Sequence, residues 1–342
     1  MTEIRYDEAI EALANAFGER FGRNHPRGEA SVSPASVEET GLLAEIAARY
    51  SVPLVPLGAG TGNGPNLREG VLVRFEQMQG LRLPEGDEPW VEAGPGTSWL
   101  NLDDELRVRG RGLAVYPTSA PRATVGGWLA TDGLGVGSFE YGRLRENVLS
   151  ASVVLAGGEL REMPGGDLDS LSGPDGSGSI VVGARLRTRR ADADVPFAAA
   201  FGDAADLVSA LGGVAASQLP LWHLAFLNPT LARTRHLDRE YLLFGAYPRE
   251  REEQVTPPLR ATAGKHRGRY LGAADAYRVW SERFFPVTPS AASAPQVVRE
   301  ILHISEVWDA LTRVEGKGTT AMQGSVSHSG EALLLTFEED RL

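Results

Sequence analysis

The chain has 342 residues, 42% of them hydrophobic, and a formal charge of -11 with a pI near 5.2. That length buries a sizeable core without staples, and the acidic balance excludes a nucleic-acid-binding surface, which needs net basic charge to neutralise phosphates. Cysteine is absent, which excludes disulfides, thiolate nucleophiles, thiolate-bound zinc and iron-sulfur clusters held by this chain.

No apolar run reaches the roughly 18 residues that cross a bilayer, so no transmembrane segment is expected. The N-terminal MTEIRYDEAIEALANAF mixes acids among its apolar residues and shows no basic-then-apolar leader, which points to a cytoplasmic protein. Residues 36–50 have Ser36 as N-cap, Glu39 three residues on, and Leu42, Leu43, Ile46 and Ala47 at helical spacing, so a helix is expected there. VPLVPLG then reads as a short strand that stops at a run of glycines, and VLVRF as a second strand. WVEA (90–93) reads as a strand and residues 98–108 as a helix. The stretch RGLAVYPTSAPRATVGGWLATDGLGVGS is too rich in glycine and proline for a regular element. VLSASVVLAGGELREM predicts two strands joined at Gly157-Gly158, and SIVVGARLRTRR a further strand ending near residue 190.

Beyond residue 190 the glycine density falls and a new series begins. VPFAAAF, LPLWHLAFL and EYLLFGAYP read as strands, DAADLVSALGGVAAS and AADAYRVWSERFF (273–285) as helices, with a helix around SEVWDALTRV and a closing hairpin TTAMQGSVSHSGEALLLTF. That alternation predicts a second α+β lobe.

Glycines at 58, 60, 62 and 64, with Thr61 and Asn63 between them, allow positive φ and close approach to a ligand, and consecutive N–H groups in such a loop form an anion nest. The loop runs from strand to strand, unlike a GxGxxG that opens a helix, and lacks the Lys-Ser/Thr of a nucleotide-triphosphate loop. In context, the stretch from Ser31 to Arg190 resembles the FAD-binding domain of the vanillyl-alcohol oxidase / p-cresol methylhydroxylase superfamily, and within it the glycolate oxidase and D-lactate dehydrogenase flavoproteins. Four blocks carry the resemblance in order: VSPASVEET, VPLVPLGAGTGNG, YPTSAPRATVGGWLATDGLGVGSFEYGRLRENVLSASVVLAGGE and GPDGSGSIVVGARLRT. The fold this implies is α+β, with a two-subdomain FAD-binding domain over residues 1–190 and a smaller, abbreviated, ferredoxin-like substrate or cap lobe over residues 191–342.

Carried over residue by residue, the resemblance places Pro56, Gly58, Ala59, Gly60, Thr61, Gly62 and Asn63 along the pyrophosphate segment. It places Pro117, Thr118, Ser119, Thr124, Gly126 and Gly127 beside the flavin and ribityl chain. Thr131, Asp132, Gly133, Gly135, Ser138, Tyr141 and Gly142 follow across the diphosphate and isoalloxazine, and Ile180 and Val181 meet the adenine. The pattern departs from the family at Trp128 and Asp132, where Asn is usual, and at Leu134 and Ser179, where Gly is usual. A carboxylate at Asp132 opposes a dianionic pyrophosphate unless it points elsewhere. Some members attach the flavin through His or Cys; this loop has no His and the chain no Cys, so non-covalent FAD is expected.

The implied activity is oxidation of a small 2-hydroxy acid of the glycolate or D-lactate class, by hydride transfer to the flavin. The alternative is a FAD-binding subunit without its own substrate chemistry, working beside an iron-sulfur electron-transfer subunit. The chemistry needs a cation for the substrate carboxylate and a proton acceptor for its hydroxyl. Arg283 in YRVWSERFF resembles the family's Trp-x-x-Arg, and guanidinium grips a carboxylate in two places at once; as a structural residue it would sit at the rim of a helix whose Trp280 and Phe284 form a core face. For the proton, His223 in LPLWHLAFL and His328 in VSHSGEALLLTF are the candidates. Alternation places Trp222, Leu224 and Phe226 on one face of that strand and His223, Ala225 and Leu227 on the other. His328 falls where relatives carry His-x-Gly-Asp-Gly-Asn-x-His, but Leu333 and Leu335 replace the Asn and the second His. One His and Glu331 are too few ligands for a divalent ion, so no metal is expected.

Overall fold

The computed structural model describes residues 5–23, 30–61, 70–167, 179–191, 193–285, 297–315 and 319–338. Gly62, Asn63 and Gly64 of the glycine loop lie outside these. Internal contacts divide the chain into two units: residues 1–106, 120–132 and 145–189 form the first, and residues 107–119, 133–144 and 190–342 the second.

In the first unit, α1 (Tyr6–Phe17) leads through β1 (Phe21–Gly22) to β2 (Ala30–Val32), α2 (Val37–Tyr50), β3 (Leu54–Leu57) and β4 (Val71–Arg74). These strands form one sheet in the order β1-β2-β4-β3, with β2 and β3 both parallel to β4. Parallel strands need a crossover, and α2 carries the chain from β2 to β3 on the far side of β4. Its start is the expected cap: Ser36 Oγ accepts the Glu39 N–H at 3.2 Å, and the Glu39 carboxylate accepts the Ala35 N–H at 2.7 Å. Ser51 closes the helix in the left-handed region at φ 57°.

The second sheet is antiparallel, in the order β5 (Leu81–Arg82), β6 (Trp90–Ala93), β10 (Ser179–Arg190), β8 (Val148–Leu155), β9 (Leu160–Pro164). The turn between β8 and β9 holds Gly158 at φ 86°, as expected of the Gly-Gly pair. One apolar core ties the two sheets together: Leu13, Phe17, Leu43, Val71 and Val73 pack with Val154, Ile180 and Val182. Helices α3 (Trp99–Arg107) and α4 (Val125–Leu129) complete this unit; the short β7 (Arg111–Leu113) and α5 (Ser138–Tyr141) belong to the second.

The second unit is built on a seven-stranded antiparallel sheet. Its strands are β11 (Asp194–Phe201), β12 (His223–Leu227), β13 (Tyr241–Pro248), β14 (Arg269–Tyr270), β15 (Val298–His303), β16 (Thr320–Val326) and β17 (Glu331–Glu338), in the order β14-β11-β13-β12-β16-β17-β15. Helices α6 (Ala204–Ala216), α8 (Glu252–Lys265) and α10 (Val307–Glu315) cover the face that carries Leu224 and Phe226. The other face, with Ala225 and Leu227, packs on α7 (Pro229–Thr234) and α9 (Ala273–Ser281). With both faces covered, the central strands read as unbroken apolar runs.

The structure corrects two sequence expectations here. The helix expected over 273–285 ends at Ser281, with Glu282 as its C-cap. Arg283 and Phe284 therefore lie in the segment after it, and Trp280 and Phe284 do not share a helix face. Pro286 comes after Phe285, and the residue before a proline is steered out of the α region. The second correction is the stretch from Arg111 to Ser138, expected to hold no regular element, which contains β7 and α4.

Candidate FAD and substrate site

The first unit places the described part of the glycine loop against α4. Gly58 has no room for a side chain: a Cβ there would lie 2.7 Å from Thr124 Oγ1 and 3.1 Å from the Gly127 Cα. Gly126 is tied to the neighbouring segment by its N–H to the Pro95 carbonyl at 2.9 Å. The loop continues through exposed Ala59 to Gly60, at φ 68°, and Thr61. Pro56 is exposed on β3. Thr124 Oγ1 is buried without a hydrogen-bond partner, as is Ser179 Oγ at the start of β10. Buried hydroxyls are ordinarily bonded, so the orphaned Thr124 oxygen beside Gly58 and Gly127 fits a polar group of a bound ligand.

Asp132, the departure that set an acid near the diphosphate segment, is answered locally. Its carboxylate accepts the Arg145 backbone N–H at 3.0 Å and the Arg145 Nε at 2.8 Å. It sits at φ 49°, a left-handed position that Asp tolerates better than most residues. The acid is thus neutralised and turned onto its own unit, which removes the objection to FAD. Thr131 Oγ1 bonds the Trp128 carbonyl at 3.2 Å. Ile180 and Val181 are buried in β10, paired with Val154 and Val153.

The second unit holds the other expected cofactor residues. Tyr116 and Val136 exchange backbone bonds of 3.0 and 2.8 Å, which fixes the 117–119 segment beside residues 133–142. Gly135 donates to Ser138 Oγ at 2.9 Å, Gly142 donates to the Ser138 carbonyl at 3.0 Å, and the Gly133 carbonyl accepts the Leu144 N–H at 3.0 Å. Ser119 follows the buried Thr118, and Tyr141 ends α5. The Thr118 carbonyl accepts the Phe285 N–H at 2.9 Å, joining this loop to the segment that carries Arg283.

Two of the three candidate catalytic residues come together in this unit. Arg283 donates from Nε to Tyr116 Oη at 3.2 Å and from Nη1 to the Trp280 carbonyl at 3.2 Å. Its guanidinium carbon lies 4.7 Å from the centre of the Trp280 ring and 4.1 Å from that of Phe284. All four partners are neutral. His223, at the start of β12, is fully buried, with ring centres of Phe244 and Trp280 at 6.2 and 5.8 Å. Burial, reinforced by the positive charge of Arg283, pushes its pKa down to about 3, so the ring is neutral. Trp222 Nε1 donates to the Ala114 carbonyl at 3.0 Å and closes the aromatic wall. His328 is elsewhere: it is exposed in the β16–β17 turn, while Leu333 and Leu335 are 9% and 4% exposed within the core.

Sequence reasoning missed Arg235 and Gln323. Arg235, just after α7, donates to the Glu282 carbonyl, to the Phe284 carbonyl at 2.8 Å and to Gln323 Oε1 at 3.1 Å. Gln323 Nε2 donates to the Arg283 carbonyl at 2.7 Å. Between them they hold three successive carbonyls of the segment that presents Arg283. Burial lowers the Arg235 pKa to about 10, which leaves it charged at neutral pH. Neither leaves a clear signal in the sequence: Gln323 shares its strand, TAMQGSV, with Thr320 and Ser325.

Comparison with known proteins bears on the fold and on the first half of the chain. Residues 29–164 match the FAD binding domain family. D-2-hydroxyglutarate dehydrogenase of Pseudomonas putida is 34% identical over 142 residues, 40% of this chain and 14% of the relative. D-lactate dehydrogenase of Archaeoglobus fulgidus is 31% identical over 172 residues, 49% of this chain and 37% of the relative. The chain therefore spans well under half the length of these relatives. Among solved structures, p-cresol methylhydroxylase superposes with a TM-score of 0.79 at 14% identity, covering 100% of this chain and 84% of the other. An alkyldihydroxyacetonephosphate synthase gives 0.75 at 18% identity, covering 97% and 80%. No helix among the described residues is long and apolar enough to cross a membrane. The fold is that of these structures, and residues 29–164 are similar to the FAD binding domain family.

Proposed function

We propose that this protein is a FAD-dependent oxidoreductase that oxidises a small 2-hydroxy acid, of the glycolate, D-lactate or D-2-hydroxyglutarate class, with its FAD held non-covalently. The observation that carries the substrate reading is Arg283, a cation whose partners among the described residues are all neutral, standing beside a buried, uncharged His223. A guanidinium in that setting is available to a ligand carboxylate in a way that a salt-bridged one is not. FAD, when bound, supplies a two-electron acceptor for a C–H bond next to a hydroxyl. Arg283 grips the carboxylate and so fixes which face of the α-carbon is presented. Trp280, Trp222 and Tyr116 form an aromatic wall around it, which keeps the charge pair out of bulk water and so strengthens it. Non-covalent attachment is supported by the absence of cysteine.

Steady-state turnover of D-lactate, D-2-hydroxyglutarate and glycolate with a dye acceptor tests the reading. One of them should be oxidised, and Arg283→Met should raise its KM by at least about tenfold, as expected for loss of a charged hydrogen-bonded contact. Turnover unchanged in Arg283→Met would sink the assignment.

A second reading has its own support. Leu333 and Leu335, which stand where relatives carry the Asn and second His of their motif, are buried core residues and His328 is exposed, which suits a FAD-binding subunit that serves a larger complex with an iron-sulfur partner.

A further inference from the structure

The imidazole of His223 has one settled nitrogen and one open one. The Gly137 N–H points at Nδ1, 3.4 Å away, so Nδ1 must present its lone pair; a proton there would set two donors against each other. A neutral imidazole carries a single proton, which then lies on Nε2. That Nε2 is buried and has no hydrogen-bond partner. A buried N–H without an acceptor costs free energy comparable to a lost hydrogen bond.

The geometry around Gly137 makes the tautomer a property of the fold. Gly137 sits at φ 93°, and a Cβ there would come within 2.1 Å of the Ala114 carbonyl oxygen and 2.6 Å of Trp222 Nε1. Only glycine brings its N–H to this position. Ala114, Gly137 and Trp222 thus lock together, and His223 is the next residue. The ring is fully buried, with Trp280 and Arg283 near it, both only partly buried.

We propose that His223 is a hydrogen-bond donor: its Nε2–H meets an oxygen of the carboxylate-bearing ligand that Arg283 holds, and His223 does not take the hydroxyl proton. The assignment rests on the reading of Arg283 given above and replaces the acceptor role that sequence position suggests for this histidine. A neutral donor beside a fixed cation suits a ligand that presents two oxygen acceptors on adjacent carbons, the common feature of 2-hydroxy and 2-oxo acids.

The test uses the FAD-loaded protein with 15N-labelled histidine and oxalate as a non-reacting probe with oxygens on adjacent carbons. The His223 signals, assigned by comparison with His223→Gln, should show a neutral ring with its proton on Nε2 before any ligand is added. Saturating oxalate should then shift the Nε2–H resonance. By titration, His223→Leu should weaken oxalate roughly tenfold to hundredfold, the range for a hydrogen bond to a charged acceptor. His223→Gln, which keeps an N–H at the Nε2 position, should stay within about threefold. A proton on Nδ1, or ordinary histidine titration, would overturn the assignment without any variant being made. So would bound oxalate that leaves the Nε2–H unmoved, since that proton would then be satisfied by the Trp280 ring. Failure of the unsubstituted protein to bind oxalate at all would overturn the reading of Arg283 and this assignment together, and is told apart because the tautomer is read separately.

Discussion

Asp132 and Arg145 show how a residue that breaks a pattern can be compatible with it. Arg145 neutralises the acid through two bonds, so it would not oppose a diphosphate held nearby. Arg145→Met should therefore weaken FAD binding by about tenfold, since an uncompensated carboxylate repels the phosphates. Asp132→Asn in the same background should restore it; flavin fluorescence during titration of the apoprotein reads both. A double variant as weak as the single one would show that Arg145 acts on FAD by another route. Neither the ion pair nor the positive φ of Asp132 was legible in sequence, because the partner lies thirteen residues away across a loop with no regular period.

His223 carries a pH signature of its own. Its pKa in the folded chain is pushed from 6.5 to about 3 by burial and the nearby Arg283. The unfolded chain therefore binds the extra proton first as pH falls. Stability contributed by the neutral ring is fully present above about pH 6.5 and is lost as the pH drops toward 3, with a slope of up to about 1.4 kcal/mol per pH unit. Denaturant unfolding midpoints should fall across that window in the parent, and His223→Leu should flatten the dependence. Equal slopes in the two proteins would mean that the ring is protonated in the folded state.

At the scale of elements, the decisive piece is the segment after α9. The sequence motif at Trp280 and Arg283 was legible, but its setting was not: the helix stops two residues before Arg283, and what orients the chain there is a clamp from α7 and β16. Such long-range bonds leave no periodic trace. We expect Arg235→Met and Gln323→Leu each to raise the KM for the 2-hydroxy acid severalfold with a smaller change in kcat, and to lower stability by about 1–3 kcal/mol, the cost of unpaired buried carbonyls. Neither should add to the KM effect of Arg283→Met, because each acts by placing that side chain. Full additivity in the double-variant kinetics would contradict the clamp. The elements that were legible, α2 with its Ser36 cap, the Gly158 turn and the alternation along β12, rest on local rules. The exposed edge strand β15 and the proline-containing α8 do not follow such rules, since neighbours rather than propensity decide them.

On the scale of the whole molecule, the FAD-binding half was the more legible because a dinucleotide is held largely by backbone. Gly58 packs too closely on Thr124 and Gly127 to carry a side chain, and such close approach leaves a pattern in the chain. The surroundings of Arg283 are assembled from residues as distant as Tyr116, His223, Arg235 and Gln323, each ordinary in its own segment. Identity to relatives is accordingly confined to part of the chain, while similarity of fold extends over all of it.

The central claim is that this chain, with FAD alone, takes two electrons from a 2-hydroxy acid. Anaerobic mixing of the FAD-loaded protein with D-lactate, D-2-hydroxyglutarate or glycolate, followed by the flavin absorbance, tests it most directly. Bleaching by at least one of the three, lost in Arg283→Met, is the predicted result. Oxidised flavin that persists with all three at saturating concentration would contradict it and leave the FAD-binding subunit as the surviving account.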